Sequence, residues 1–196
     1  MQKLVVSPYR YSALLYASTA LDYNTDVVVV FDDCNEITPV DWLCYEALAV
    51  QKRFETEKAY KQFGVRKLYY FGADGGDITE IERLTIQLQL LVSVGGITTL
   101  YYKDEDFCYD TNISTLYSVC SHLRNVNKRV IYSTDSAVLG RGGIFVNLDN
   151  EKMKKKRCAV EKMKSLEFFL RNCRSTDVEY FVEMGDNGGK EESKKA

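Results

Sequence analysis

Short apolar runs alternate with longer amphipathic stretches along this chain, and the alternation sets the fold class. Runs rich in β-branched and aromatic residues occur at Lys3–Val6, Asp26–Phe31, Lys67–Phe71, Thr98–Tyr102, Arg129–Tyr132 and Ile144–Leu148, each of strand length. Val27-Val28-Val29-Val30 is apolar at every position, which suits a strand buried on both faces at the centre of a sheet. Between these runs the spacing is helical. Pro39 suits the first turn of a helix that continues through Trp42, Ala47 and Arg53 to Phe63, where Gly64 offers a left-handed stop. Ile81, Leu84, Leu88 and Leu91 recur at the three-four spacing of a core-facing helix. Another helix is predicted from Asn150 to Leu170, with Met153, Val160, Met163 and Leu170 on one side. Strands alternating with helices predict an α/β fold, a Rossmann-like three-layer sandwich with a mostly parallel central sheet.

The 196 residues fit one domain, expected over 1–184, followed by a tail at 185–196 that has almost nothing apolar to bury and is expected to be disordered. No apolar run approaches the roughly 20 residues of a membrane span. The N-terminus lacks the basic, apolar and small-residue order of a signal peptide, so a cytoplasmic location is expected. Two prolines and one histidine beside many Lys, Asn, Asp and Tyr hint at an AT-rich microbial or viral genome, in which case the location is the host cytoplasm. The six cysteines form no CxxC pair and no Cys/His spacing suited to zinc, and are read as reduced and mostly buried. A net charge of -2 gives no electrostatic reason to expect nucleic acid. The basic run from Lys152 to Arg157, beside Glu151 and Glu161, is read as a solvated helix face. Tyr60 and Tyr117 are expected to be partly exposed on helices, while Tyr69, Tyr70, Tyr101 and Tyr102 fall in strands and are expected to pack between sheet and helices.

Several separated segments carry a family likeness through their order. Lys3-Leu4-Val5-Val6 runs into Ser7-Pro8-Tyr9-Arg10-Tyr11-Ser12-Ala13. Later come Glu55 to Val65, the loop Tyr69-Tyr70-Phe71-Gly72-Ala73-Asp74-Gly75-Gly76, a helix from Lys152 to Leu166 and Glu179-Tyr180-Phe181. Together these resemble the PIG-L/LmbE family of de-N-acetylases over residues 1 to 181. The first loop stands where that family carries Ala-Pro-His-Pro-Asp-Asp-Glu.

The resemblance implies a catalytic zinc held by a His and an Asp of the first loop and a His of a later loop, with a neighbouring Asp as general base and a second His as acid. Such a division of labour is chemically sound, because the metal lowers the pKa of water and polarises the amide while an acid protonates the departing amine. Carried over residue by residue, the zinc His falls on Tyr9, the general-base Asp on Tyr11 and the zinc Asp on Ser12. The later His-Pro-Asp-His motif, matched to Tyr109-Asp110-Thr111-Asn112, loses both histidines and keeps an Asp. His122, the single histidine, lies in a predicted helix and is read as a surface or packing residue. No metal and no other cofactor is expected.

What remains at that location is a set of ligand-binding candidates: Tyr9, Arg10, Tyr11, Ser12, Asp33, Asp110, Asn112 and Arg141. Tyr9 and Tyr11 offer aromatic faces and Arg10 a fixed charge, suited to stacking on a sugar or base and pairing with a phosphate or carboxylate. The same large side chains suit a second outcome, in which they fill the vacant cavity. Asp32-Asp33 follows the second strand onto the same rim, though adjacent residues of an extended segment point apart. Leu139-Gly140-Arg141-Gly142-Gly143 reads as a glycine-rich turn whose Arg141 is exposed or meets an anion, and Asp74-Gly75-Gly76-Asp77 as a further turn. The 7–13 loop lacks the glycines of a phosphate cradle, which argues against NAD or ATP binding of the Rossmann or P-loop kind.

The sequence thus predicts a catalytically inactive PIG-L/LmbE-like protein that binds either a partner protein or a sugar- or nucleotide-like small molecule, with no nucleic acid and no membrane. The alternatives are a metal-independent hydrolase or transferase acting on a glycosylated or nucleotide substrate, and a structural subunit of a homo-oligomer or larger assembly.

Overall fold

The computed structural model describes residues 1–31, 45–73, 78–105, 110–134, 136–166 and 177–184. Among these, the strands are β1 (Gln2–Ser7), β2 (Thr25–Phe31), β3 (Lys67–Ala73), β4 (Ile97–Lys103), β5 (Lys128–Ser133), β6 (Ile144–Asn147) and β7 (Val178–Met184). The helices are α1 (Ser12–Tyr16), α2 (Tyr45–Lys61), α3 (Ile78–Gly95), α4 (Thr111–His122) and α5 (Asn150–Val160). All strands form one sheet in the order β3-β2-β1-β4-β5-β7-β6. The first five are parallel, and β7 runs antiparallel between β5 and β6. No helix among the described residues is long and apolar enough to cross a membrane.

Strand alternation builds two cores, one on each face of the sheet. Leu4, Val6, Val28, Val30, Leu100 and Ile131 meet Leu84, Leu88 and Val92 of α3 and Leu116 and Val119 of α4. Val5, Val27, Val130 and Tyr132 meet Ala13 and Leu14 of α1, Ala59 and Tyr60 of α2, and Ala159 of α5. Every residue of β2 is buried, as its uninterrupted apolar run predicts. This is the expected three-layer α/β sandwich, and all six predicted strands are present.

Four features depart from the sequence reading. Strand β7 is absent from the predicted set because Glu179 faces inward and hides the apolar alternation of Val178–Met184. Helix α5 ends at Val160 instead of reaching Leu170. Lys162 and Met163 then make tight bonds three residues back, and Ser165 is captured by Glu55 of α2, so a tertiary contact wins over another helical turn. The basic run is not wholly solvated, since Lys156 is buried and pairs with Glu179 at 3.1 Å. Tyr60, read as partly exposed, is fully buried beneath the first loop, where its hydroxyl finds a backbone acceptor. Pro39, Trp42, the turn at 74–77 and the tail at 185–196 lie outside the described residues.

Glu179 is a node for three elements. Its carboxylate accepts the amide and hydroxyl of Ser18 at 2.9 and 2.5 Å and those of Thr19 at 2.9 and 2.8 Å, besides the Lys156 ammonium. A buried charge is tolerated only when paired and hydrogen-bonded, and this one has both kinds of partner. Glu179→Ala is expected to cost about 3–5 kcal/mol in urea unfolding, the range for removing one member of a buried ion pair. Lys156→Met leaves the Ser18 and Thr19 donors in place and is expected to cost clearly less; equal losses would assign the node to the ion pair alone.

Burial raises the phenol pKa of Tyr60 and Tyr132 above the ordinary value of 10.0. A group with a raised folded pKa contributes stability that is complete below its unfolded value and is lost as pH rises through the folded one. Stability is therefore expected to fall as pH climbs above 10.0, with the tyrosinate absorbance of these two residues appearing together with loss of native circular dichroism. Their ionisation in a protein with an intact fold would contradict this.

Candidate functional site

The strand order identifies the crevice before any side chain is considered. From β1 the chain moves outward to β2 and β3, then returns to β4 on the other side of β1 and moves outward again to β5. At such a reversal the loops leaving two adjacent parallel strands part, and ligands of open α/β sheets bind between them. Here the two segments are the loop from Ser7 to Ser12, after β1, and the approach to α4, after β4.

The first loop is tied down from several directions. Ser7 Oγ donates to the Tyr9 carbonyl at 2.5 Å and accepts the Ala13 amide at 3.0 Å. The Phe31 amide donates to the Pro8 carbonyl at 2.9 Å. The buried hydroxyls of Tyr132 and Tyr60 donate to the carbonyls of Val6 and Arg10 at 2.9 and 3.1 Å. These bonds leave the Tyr9 side chain little choice of direction.

Tyr9 reaches across the crevice. Its hydroxyl donates to Asp110 Oδ2 at 2.5 Å, and Asn112 Nδ2 donates to the same hydroxyl at 3.5 Å. Asp110 Oδ1 accepts the Asn112 amide at 2.9 Å, which makes Asp110 the N-cap of α4. The Tyr9 ring stacks on Tyr11 with centroids 5.8 Å apart and packs against Phe31 at 6.0 Å. Of the predicted candidates, Tyr9, Tyr11, Asp110 and Asn112 therefore converge, with Ser12 buried at the start of α1 beside them.

Both arginines are engaged within the protein. Arg10 is only 2% exposed; its Nη1 donates to Ser165 Oγ at 2.9 Å and lies 3.7 Å from Glu55 Oε2. The cavity beside it, between Val29, Thr56 and Tyr70, measures about 30 Å³, room for a water molecule and not for a sugar. Arg141 pairs with Asp104, a fully buried carboxylate just past the end of β4. The turn that carries Arg141 needs its glycines: Gly142 has φ +79°, and a Cβ on Gly143 would sit 2.6 Å from the Val138 carbonyl oxygen. Asp33 lies outside the described residues. A larger groove of about 480 Å³, lined by Tyr101, Val130, Ile144 and Phe181 among others, lies toward the start of β5 and away from this crevice.

Asp104 and Ser165 are polar residues of consequence that sequence reasoning passed over, while Glu55 and Glu179 entered it only as parts of the family likeness, with no role assigned. Asp104 could have been found from its place after a strand that borders the chain reversal. Glu55 and Ser165 are 110 residues apart and carry no local signal.

The donor set that the described residues bring to the crevice does not fit zinc. Zinc is held by thiolate, imidazole and carboxylate groups. The described crevice instead presents a phenol, a buried hydroxyl, a carboxamide and one carboxylate, Asp110, which already caps α4 and accepts the phenol. Among the described residues no three His, Cys, Asp or Glu side chains gather as a metal site. His122 sits exposed at the opposite end of α4, roughly 18 Å from the cap at 1.5 Å per residue.

No family model matches the chain, and no curated protein matches it. Solved structures do. The zinc-inhibited form of the teicoplanin deacetylase Orf2 matches with a TM-score of 0.68 and 12% identity, over 95% of this chain and 100% of that one. The N,N'-diacetylchitobiose deacetylase from Pyrococcus horikoshii matches with a TM-score of 0.61 and 13% identity, over 93% and 83%. GalB, the 4-carboxy-2-hydroxymuconate hydratase from Pseudomonas putida, matches with a TM-score of 0.65 and 11% identity, over 94% and 95%. A hydratase among the neighbours illustrates that one fold hosts different chemistries, so function has to be argued from the site. The chain has the fold of the PIG-L/LmbE-type deacetylases, as its sequence resemblance implies.

Proposed function

We propose that this protein is a catalytically inactive member of the deacetylase fold that acts by binding a partner protein. The observation that carries the reading is the Tyr9 hydroxyl bonded to Asp110, in the crevice where the resemblance would bring the zinc ligands together. A phenol held by a capping carboxylate cannot take the part of an imidazole ligand, and Tyr11 and Ser12 cannot supply the base and the ligand carboxylate. Arg10 and Arg141, the cations that would greet an anionic substrate, are turned to Glu55 and Asp104. A second reading, a sugar- or nucleotide-like ligand, draws support from the half-buried, stacked rings of Tyr9 and Tyr11.

Purified protein incubated with zinc and a panel of acetamido sugars is expected to retain no stoichiometric metal and release no acetate. One zinc per chain together with acetate release would overturn the proposal. The combined substitution Tyr9→His, Ser12→Asp and Asn112→His is expected to gain zinc binding, provided circular dichroism shows it folded; a folded variant that binds none would break the assignment of these positions to the ligand places.

Tyr9→Phe isolates the bond itself. Hydrogen bonds to charged groups contribute about 1.5–3 kcal/mol, and half-burial puts this one at the lower end, about 1.5 kcal/mol by chemical denaturation. Asp110→Ala also removes the cap and is expected to cost more, by about 1 kcal/mol.

A further inference from the structure

Asp104 is a buried carboxylate that the protein satisfies on one side only. It is 0% exposed; Arg141 holds its Oδ2, and no group of the described residues bonds its Oδ1. A charged group withdrawn from water is costly to leave short of partners. The nearest hydroxyl along the strand does not serve it, since Tyr102, two residues earlier, is buried with its own hydroxyl unbonded. This orphan oxygen lies at the crevice. The Asp104 amide donates to the Tyr132 carbonyl at 2.8 Å, which extends the β4–β5 ladder by one residue. Its side chain therefore falls on the α4 face of the sheet, with Leu100 and Tyr102. Carrying the β1–β4 register on from Val5 opposite Tyr101 puts Asp104 beside Pro8, one residue before Tyr9. What lies between the carboxylate and solvent is the Arg141 side chain, 40% exposed and carried on the turn in which Gly142 takes φ +79°.

We infer that Asp104 receives a primary ammonium group, which takes the place of Arg141 on the carboxylate. Any group that reaches Asp104 has to move the guanidinium aside, so it must bring a positive charge of its own or leave a buried anion uncompensated. An ammonium is compact and carries three donors, enough for both oxygens, where the guanidinium meets Oδ2 alone. A hydroxyl brings no charge. A divalent metal needs more oxygen ligands than one carboxylate, and among the described residues no three His, Cys, Asp or Glu side chains gather. The exposed Glu105, next along the chain, adds negative charge that favours an approaching cation. The ammonium belongs either to a lysine side chain of a partner protein or to a free amino compound such as an amino sugar. Asp104 meets the same chemistry in both cases, whichever reading of the partner holds.

Amide NMR of the full chain titrated with ethylammonium tests this, to about 50 mM because so small a ligand binds at best in the millimolar range. Saturable shifts are expected at Asp104, Tyr132 and Gly142. Tetramethylammonium, a cation without N–H donors, is expected to give none at the same ionic strength. Asp104→Asn is expected to abolish the saturable shifts. Arg141→Met is expected to tighten binding roughly tenfold or more, the worth of a competing hydrogen bond to a charged group. That second variant decides the matter should Asp104→Asn misfold. Glu183→Gln, whose carboxylate pairs with Lys128 away from the crevice, is expected to leave the titration unchanged. Tighter binding of Nα-acetyl-lysine amide than of glucosamine would assign the ammonium to a partner protein, and the reverse order to a free amino sugar. A folded parent chain without saturable shifts, or one that responds equally to tetramethylammonium, would overturn the inference. So would weaker binding in folded Arg141→Met.

Discussion

Tyr9 and Asp110 meet where the two halves of the sheet part company. The segment after β1 and the segment before α4 lead to opposite sides of the fold, and the bond between the Tyr9 hydroxyl and the Asp110 carboxylate joins them directly. Asp110 at the same time caps α4, so orienting one carboxylate fixes a helix start and a loop together. In a deacetylase of this fold, as the family resemblance implies, a metal would draw those same segments together. Here a side chain of the protein makes that connection. Because the ring is also stacked on Tyr11 and packed on Phe31, the hydroxyl is aimed by apolar contacts before its bond is considered.

Buried polar groups hold the rest of the architecture in a similar manner. Glu179 links the turn at Ser18–Ala20, the helix α5 and the antiparallel strand β7. Glu55 links Arg10 of the first loop to α2 and to the turn at Ser165. Asp104 draws in Arg141. Each carboxylate has found its cation or its hydroxyl inside the protein, which is the condition for burying it at acceptable cost. The outcome, among the described residues, is that Arg10 and Arg141 are both engaged by buried carboxylates of the protein itself.

Much of the fold was legible because apolar periodicity is local. The run Val27–Val30, the helix around Leu84 and Leu88, and the stop at Gly64 with φ +73° all follow from residues within a few positions of one another. Strand β7 was not, because its buried Glu179 answers to Ser18, Thr19 and Lys156, remote in the chain. The end of α5 was not, because Glu55 captures Ser165 across 110 positions. At the crevice, the replacement of ligand residue types was readable by position, while the bond from Tyr9 to Asp110 was not, since it spans 101 residues and depends on how β1 and β4 are ordered in the sheet.

The claim that a phenol stands at the metal crossing is open to direct observation by diffraction from crystals grown in zinc, with data collected on both sides of the zinc absorption edge. The account predicts the Tyr9 ring stacked on Tyr11, its hydroxyl within bonding distance of Asp110, and no anomalous peak between the first loop and the start of α4. A peak at that position, with Tyr9 swung out of the crevice, would contradict it.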